Sequence, residues 1–127
     1  MDTINLFKKL IVIDLLITVI MIIASLFSPE EYVNFTFNSI VLMSEITFSM
    51  FSLIFVFLYF VSLYLCYKFN SLGKNLYIIT FVGTNLLLLF TDVAMTGLET
   101  SLISLGGMLS GMIIYMLVFT DVKDRFQ

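Results

Sequence analysis

Four long apolar stretches alternate with short polar ones along the chain. They are residues 10–27, 41–67, 73–92 and 98–120. A helix needs about 17–25 residues to cross a hydrocarbon core roughly 30 Å thick, and each stretch meets that length. The pattern predicts an all-α integral membrane protein. Its four transmembrane helices are expected to pack as an antiparallel bundle in a single domain, residues 1–127.

The polar segments between the spans carry helix-start signals. Ser28-Pro29-Glu30 is typical of an N-cap followed by the first helical turn, and Thr96-Gly97-Leu98-Glu99 has the spacing of a capping box. An unbroken helix from Pro29 to Phe69 would be about 60 Å long, roughly twice the hydrocarbon core. We therefore expect Pro29–Asn38 to form a short interfacial helix or bend before the second span.

Composition supports a lipid environment and excludes several chemistries. The chain is 61% hydrophobic and 12% charged, whereas a soluble domain carries about 25% charged residues to cover its surface. There is no histidine, which excludes histidine-based metal sites and histidine general bases, and the single Cys66 excludes an intramolecular disulfide. No metal, cofactor or nucleic-acid partner is expected.

The basic residues predict the orientation of the chain. With four spans, all six fall on the same side of the membrane: Lys8, Lys9, Lys68, Lys74, Lys123 and Arg125. The positive-inside rule places that side in the cytoplasm, so both termini are expected there, in the cell membrane of a bacterium. The first span is expected to be retained, because it contains an aspartate and lacks the small-residue cleavage site of a signal peptide.

Asp14 is the leading candidate for chemistry inside the spans. It lies five residues beyond Lys9, about 6–8 Å deeper along a helix, where a charge is costly and should face the bundle interior. Thr18 lies one turn further on, on roughly the same helical face.

Tyrosines are the expected neighbours of Asp14. Tyr64, Tyr77 and Tyr115 are candidates to hydrogen-bond its carboxylate. The interpretation favoured for the set as a whole is an aromatic belt at the membrane interface, although one partner for Asp14 is still expected. The belt would be formed by five tyrosines of spans two to four: Tyr59, Tyr64, Tyr67, Tyr77 and Tyr115.

Two further polar residues complete the candidate intramembrane site. Asn85 lies at mid-depth in the third span, where an amide either bonds a neighbouring helix or binds a substrate. Glu45 lies toward the outer side, where it either attracts cations or is merely tolerated by the topology.

The fourth span carries a small-residue ridge formed by Ser104, Gly107 and Gly111. Gly107 and Gly111 form a GxxxG motif, which allows another helix backbone to approach closely. The partner is expected to be either one of the first three spans of this chain or another copy of the chain.

The function predicted from these features is non-enzymatic. A membrane aspartyl dyad needs two carboxylates at one depth, but Asp14, Glu45 and Asp92 fall at different depths. The leading hypothesis is an accessory or oligomerising membrane subunit, whose partners are the lipid bilayer and other subunits or copies of itself. The alternative is a small proton- or cation-coupled transporter or channel that uses Asp14 and Glu45.

Overall fold

The computed structural model describes residues 2–27, 33–37, 45–87 and 93–126, without the side chains of residues 33–37, 45, 46, 48 and 93–95. The described elements are α1 (Thr3–Phe27), β1 (Val33–Phe37), α2 (Glu45–Tyr67), α3 (Ser71–Leu87), β2 (Val93–Thr96), α4 (Gly97–Phe119) and a terminal 3₁₀ turn (Asp121–Arg125). The predicted helical fold class is confirmed. Among the described helices, α1, α2 and α4 are long and apolar enough to cross a bilayer, which indicates a membrane protein.

The prediction of a helix or bend before the second span is wrong where the chain is described. Val33–Phe37 is instead a β-strand that pairs antiparallel with β2. The register joins Val33 to Thr96 and Phe37 to Val93, with an irregularity between Val33 and Phe35. The segment is rich in β-branched and aromatic residues, which favour strands, and pairing satisfies backbone groups that a bend would leave open. Residues 28–32 and 38, which carry the predicted Ser28 cap, lie outside the described residues.

A tight turn joins α2 to α3. The amides of Phe69 and Asn70 donate to the carbonyls of Cys66 and Leu65, the paired bonds that end a helix in a Schellman motif. Phe69 accordingly has a left-handed backbone, with φ of 56°. Asn70 then caps α3, because its Oδ1 accepts from the amide of Leu72 at 2.9 Å.

Glycines let α2 and α3 pack closely after this turn. A Cβ built on Gly73 would lie 2.6 Å from the Cβ of Leu65, and one built on Gly83 would collide with the ring of Phe55. Gly73 follows the turn and meets the end of α2, whereas Gly83 lies further along and meets residues nearer its start. Small side chains at these two positions therefore set the α2–α3 distance.

The predicted capping box at the start of α4 is confirmed. The Thr96 hydroxyl accepts from the amide of Glu99, and the Glu99 carboxylate accepts from the amide of Thr96 at 2.7 Å. This box starts α4 directly where β2 ends.

The hydrophobic core lies at the end of the molecule where α1 begins and where the terminal 3₁₀ turn follows α4. Its buried residues come from every described helix and from the terminal 3₁₀ turn: Phe7, Leu10, Ile11, Leu63, Cys66, Tyr77, Ile113, Met116, Leu117 and Val122. The rings of Phe7, Phe69 and Phe126 contact one another there, with centroids 5.5–6.1 Å apart. Lys8 places its ammonium 5.2 Å above the Tyr67 ring at the same end.

Candidate functional site

Asp14 is buried because it lies on the core-facing stripe of α1. The buried residues of that helix are Phe7, Leu10, Ile11 and Asp14, which recur at i, i+3, i+4 and i+7 and so share one face. The side chain of Asp14 is 0% exposed. The prediction that Asp14 faces the interior therefore agrees with its position in the fold.

Two tyrosine hydroxyls hold one oxygen of this carboxylate. Tyr59 of α2 and Tyr77 of α3 both donate to Asp14 Oδ2, the second at 2.9 Å. The Tyr59 hydroxyl also lies 3.5 Å from the Oγ of Ser110 on α4. These four residues, one from each described α-helix, are called the Asp14 cluster below.

The other carboxylate oxygen has no hydrogen-bond partner among the described residues. Asp14 Oδ1 is buried and makes no hydrogen bond within the described part of the chain. Within the described part of the chain, the groups that interact with the Asp14 carboxylate are the two tyrosine hydroxyls, and no cation is among them. A buried polar atom without a partner is costly, so this oxygen is the natural point for a ligand or a proton to bind.

The prediction of a tyrosine partner is confirmed for Tyr77 and wrong for Tyr64 and Tyr115, which are 63% and 59% exposed. Sequence reasoning missed Tyr59 as a partner. A signal was present, because Tyr59, Ser62, Leu63 and Cys66 recur at i, i+3, i+4 and i+7 and mark the inner face of α2. Tyr64 lies off that face, so its depth alone was misleading.

A cavity of about 350 Å³ extends from the Asp14 cluster away from the core. The four α-helices line it with residues that lie on the opposite side of the cluster from the core residues: Ile17, Thr18, Met21, Ser52, Phe55, Val56, Phe81, Thr84, Asn85, Leu87, Leu102, Ile103, Gly106 and Gly107. Apolar side chains make up most of this wall. Asp14, Tyr59 and Ser110 form the end of the cavity that meets the core.

The Asp14 cluster therefore separates two different interiors. On the side of the termini, the helices are packed by the core with Leu63, Ile113 and Leu117 at 0–2% exposure. On the side of the β1–β2 pair, the same helices line the cavity. Asp14 consequently borders the cavity on one side and the packed core on the other.

Thr18 and Asn85, two of the other predicted site residues, line the cavity. Their polar groups bond their own helices: the Thr18 hydroxyl donates to the carbonyl of Asp14 at 2.9 Å, and the Asn85 amide donates to the carbonyl of Phe81 at 2.8 Å. Neither contacts the Asp14 carboxylate through these bonds. α2 begins at Glu45, whose side chain lies outside the described atoms.

The small-residue ridge of α4 is not covered by the described helices. Ser104, Gly107 and Gly111 are exposed, and a Cβ built on either glycine would meet no atom within 4 Å. Gly107 also borders the cavity, whereas Gly111 does not. The expected close helix approach at these glycines is therefore absent within the described part of this chain.

The fold and the site together define a helical membrane protein with a buried carboxylate at the closed end of an apolar cavity. Comparison of the chain with protein families, with curated proteins and with solved structures finds no match. The Asp14 cluster and the cavity are the features of this chain that bear on its function.

Removing either tyrosine hydroxyl is expected to destabilise the protein. Tyr77→Phe and Tyr59→Phe each take one donor from Asp14, which should cost about 1–3 kcal/mol because the carboxylate is buried. Tyr115→Phe is the matched control, since that hydroxyl is on an exposed residue, and it should change stability by less than about 0.5 kcal/mol. Unfolding in mixed micelles, followed by circular dichroism, measures all three. Equal stability of Tyr77→Phe and Tyr115→Phe would contradict the role given to Tyr77.

Proposed function

We propose that this chain is a small membrane carrier that binds a proton or another cation at Asp14. One observation carries the proposal: a fully buried carboxylate lies at the end of a cavity, and one of its oxygens has no hydrogen-bond partner among the described residues. The leading hypothesis from sequence was an accessory subunit, which needs no such site. The cavity is the reason that the carrier hypothesis is preferred to the accessory-subunit hypothesis.

The physical reason is the cost of burying a charge. An ionised carboxylate away from water is costly unless a cation or a set of donors compensates it, and two hydroxyls on one oxygen leave the other uncompensated. Binding a proton or a cation removes that charge. The stability of the cluster then depends on its occupancy, which is the coupling that a proton- or cation-driven carrier requires.

The cavity on one side of Asp14 and the packed core on the other also favour a carrier over an open channel. The core closes the bundle on the terminal side of Asp14, and the cavity leads away on the other. A carrier exposes its site to one side at a time, whereas a channel needs a continuous path. Transport would require the core-packed end to open, and the hydrogen bonds to Tyr59 and Tyr77 are the contacts that such opening would change.

The proposal includes four antiparallel spans in one domain. α3 has 17 described residues, about 26 Å of helix, and the apolar sequence continues past Leu87. Antiparallel order is supported by the cluster, since core residues precede Asp14 on α1 and follow Tyr59 on α2. The six basic residues support cytoplasmic termini in a bacterial cell membrane. Glu45 is proposed to attract cations from the opposite side.

The test is transport by purified protein reconstituted into liposomes that contain a dye sensitive to the imposed ion, which is a proton, sodium or potassium. An imposed pH gradient, or a sodium or potassium gradient of equal size, should decay faster than in protein-free liposomes for at least one of these ions. Liposomes carrying an unrelated helical membrane protein control for leakage. Decay at the protein-free rate for every gradient would contradict the carrier proposal.

An oligomerising membrane subunit is the second candidate, and the open ridge of α4 favours it. Gly107 and Gly111 leave room for a helix that no described element of this chain supplies. Mass analysis after purification in a mild detergent separates the two candidates. Recovery within a larger assembly of other proteins would support the subunit, and recovery alone or as a small homo-oligomer would support the carrier.

A further inference from the structure

We propose that the ligand of the cavity is an organic monocation, an ammonium compound whose apolar body fills the space between the helices and whose charged head pairs with Asp14. This inference rests on the proposed function, because it names the ligand class of the same site. The ligand class can nevertheless be wrong while the proposal of proton transport at Asp14 is right, and the experiment below distinguishes these two outcomes.

The charged end of the ligand is indicated by the Asp14 carboxylate. Oδ2 is occupied by Tyr59 and Tyr77, and Oδ1 is the buried atom without a partner. Lys8, a basic residue of the same helix, directs its ammonium to the Tyr67 and Phe69 rings at 5.2 and 5.3 Å. Because no cation interacts with Asp14 within the described part of the chain, a cation that pairs with Oδ1 would come from outside it.

The apolar body of the ligand is indicated by the cavity wall. Ile17, Met21 and Val56 present aliphatic or thioether surface, and Phe55 and Phe81 add aromatic rings. Binding an apolar ligand to such a wall is favourable because it removes apolar surface from water. A hydrated ion has no apolar surface to bury and gains no free energy in this way. The aromatic rings can also attract an ammonium group through their faces. A volume of about 350 Å³ suits a small molecule of one ring with its substituents.

A bare metal ion fits the same space poorly. Alkali and alkaline-earth cations need about six oxygen ligands, whereas the surface that lines the cavity is mainly apolar. The Thr18 hydroxyl donates to a backbone carbonyl, and Ser110 lies beside the Tyr59 hydroxyl. The described residues also contain no group of three acidic, histidine or cysteine side chains that could hold a metal.

The test is calorimetric titration of the full chain in lipid nanodiscs with benzyltrimethylammonium, a permanent cation with one ring. Its uncharged isostere, (2,2-dimethylpropyl)benzene, has the same shape without the charge. The wild-type protein should bind the cation, and it should bind the isostere at least about 30-fold more weakly, as expected when one partner of a buried charge pair is removed. Asp14→Asn should lose the preference for the cation. Sodium chloride at equal concentration should not displace it.

A second pair of variants tests the place of binding. Gly107→Leu puts a side chain at the cavity wall where a Cβ meets no neighbour, and should weaken binding of the cation about tenfold. Ser101→Leu makes a similar small-to-large change on an exposed residue of the same helix away from the cavity, and should leave binding unchanged. Size-exclusion light scattering on both variants verifies that each keeps the wild-type mass.

Three outcomes would overturn the inference: no binding of the cation, equal binding of cation and isostere, or equal effects of Gly107→Leu and Ser101→Leu. Gradient-driven proton flux with no binding of the organic cation would remove this inference and leave the carrier proposal standing. Binding of the cation without any gradient-driven flux would support the ligand class and contradict the carrier.

Discussion

Asp14→Asn is expected to reduce gradient-driven flux to the rate of protein-free liposomes while the protein still folds. Asparagine is nearly isosteric with aspartate, and its Oδ1 can accept the hydroxyls of Tyr59 and Tyr77 as the carboxylate does. It cannot bind a proton at physiological pH or balance the charge of a cation. The change therefore removes the chemistry of the site and keeps its hydrogen bonds.

Asp121→Asn is the matched control, because it neutralises an exposed carboxylate outside the cluster and should leave flux unchanged. Asp14→Leu separates function from structure. If the role of Asp14 is only to hold the helices together, Asp14→Leu should be tolerated or stabilising, because leucine is apolar and of similar size. The effect should be clearest when Tyr59→Phe and Tyr77→Phe also remove the two hydroxyls that Asp14→Leu leaves without an acceptor. Wild-type flux in Asp14→Asn would refute the assignment of Asp14 as the binding residue.

Gly73→Ala is expected to destabilise the protein by about 1–3 kcal/mol. The new Cβ would lie 2.6 Å from the Cβ of Leu65 and 2.7 Å from the backbone nitrogen of Cys66. Backbone atoms cannot rotate aside as a side chain does, so α2 and α3 would have to separate beside the Asp14 cluster. This cost exceeds the roughly 0.5–1 kcal/mol that alanine contributes to a helix relative to glycine.

Two other glycines give a graded control for this prediction. Gly107→Ala meets open space and should be neutral or stabilising by up to about 1 kcal/mol. Gly83→Ala collides with the ring of Phe55, which borders the cavity and has room to turn into it, so its cost should fall between the other two. Thermal or detergent-induced unfolding gives the order. A Gly73→Ala variant as stable as Gly107→Ala would contradict the close packing of α2 on α3.

Much of the fold could be predicted because it depends on local properties. The lengths of the apolar stretches determine which segments can cross a bilayer, whatever their neighbours are. The capping box of Thr96 and Glu99 also lies within four residues, and it was read correctly from spacing alone. The β1–β2 pair was missed because its partners are separated by about sixty residues of sequence. Each strand is short, and neither is stable without the other.

The site was also predicted only in part, again because local properties can be read from sequence and contacts between distant residues cannot. Sequence indicated that a buried Asp14 needs a polar partner at its depth, and Tyr77 meets that expectation. Depth does not specify the direction in which a side chain points, so the exposed Tyr64 and the inward Tyr59 could not be told apart by depth. The unpaired Oδ1 and the cavity depend on how four helices approach one another, a property that no single helix contains.

The sequence by itself determined that this is a membrane protein and that most of its charged residues lie outside or at the ends of the apolar stretches. Those properties follow from the transfer free energy of each segment, which adds along the chain. Tertiary structure alone decided which helix faces meet. It brought Asp14, Tyr59, Tyr77 and Ser110 together and placed a packed core on one side of them and a cavity on the other. Packing of that kind depends on the shapes of all four helices at once, because each side chain must fit among neighbours distant in sequence.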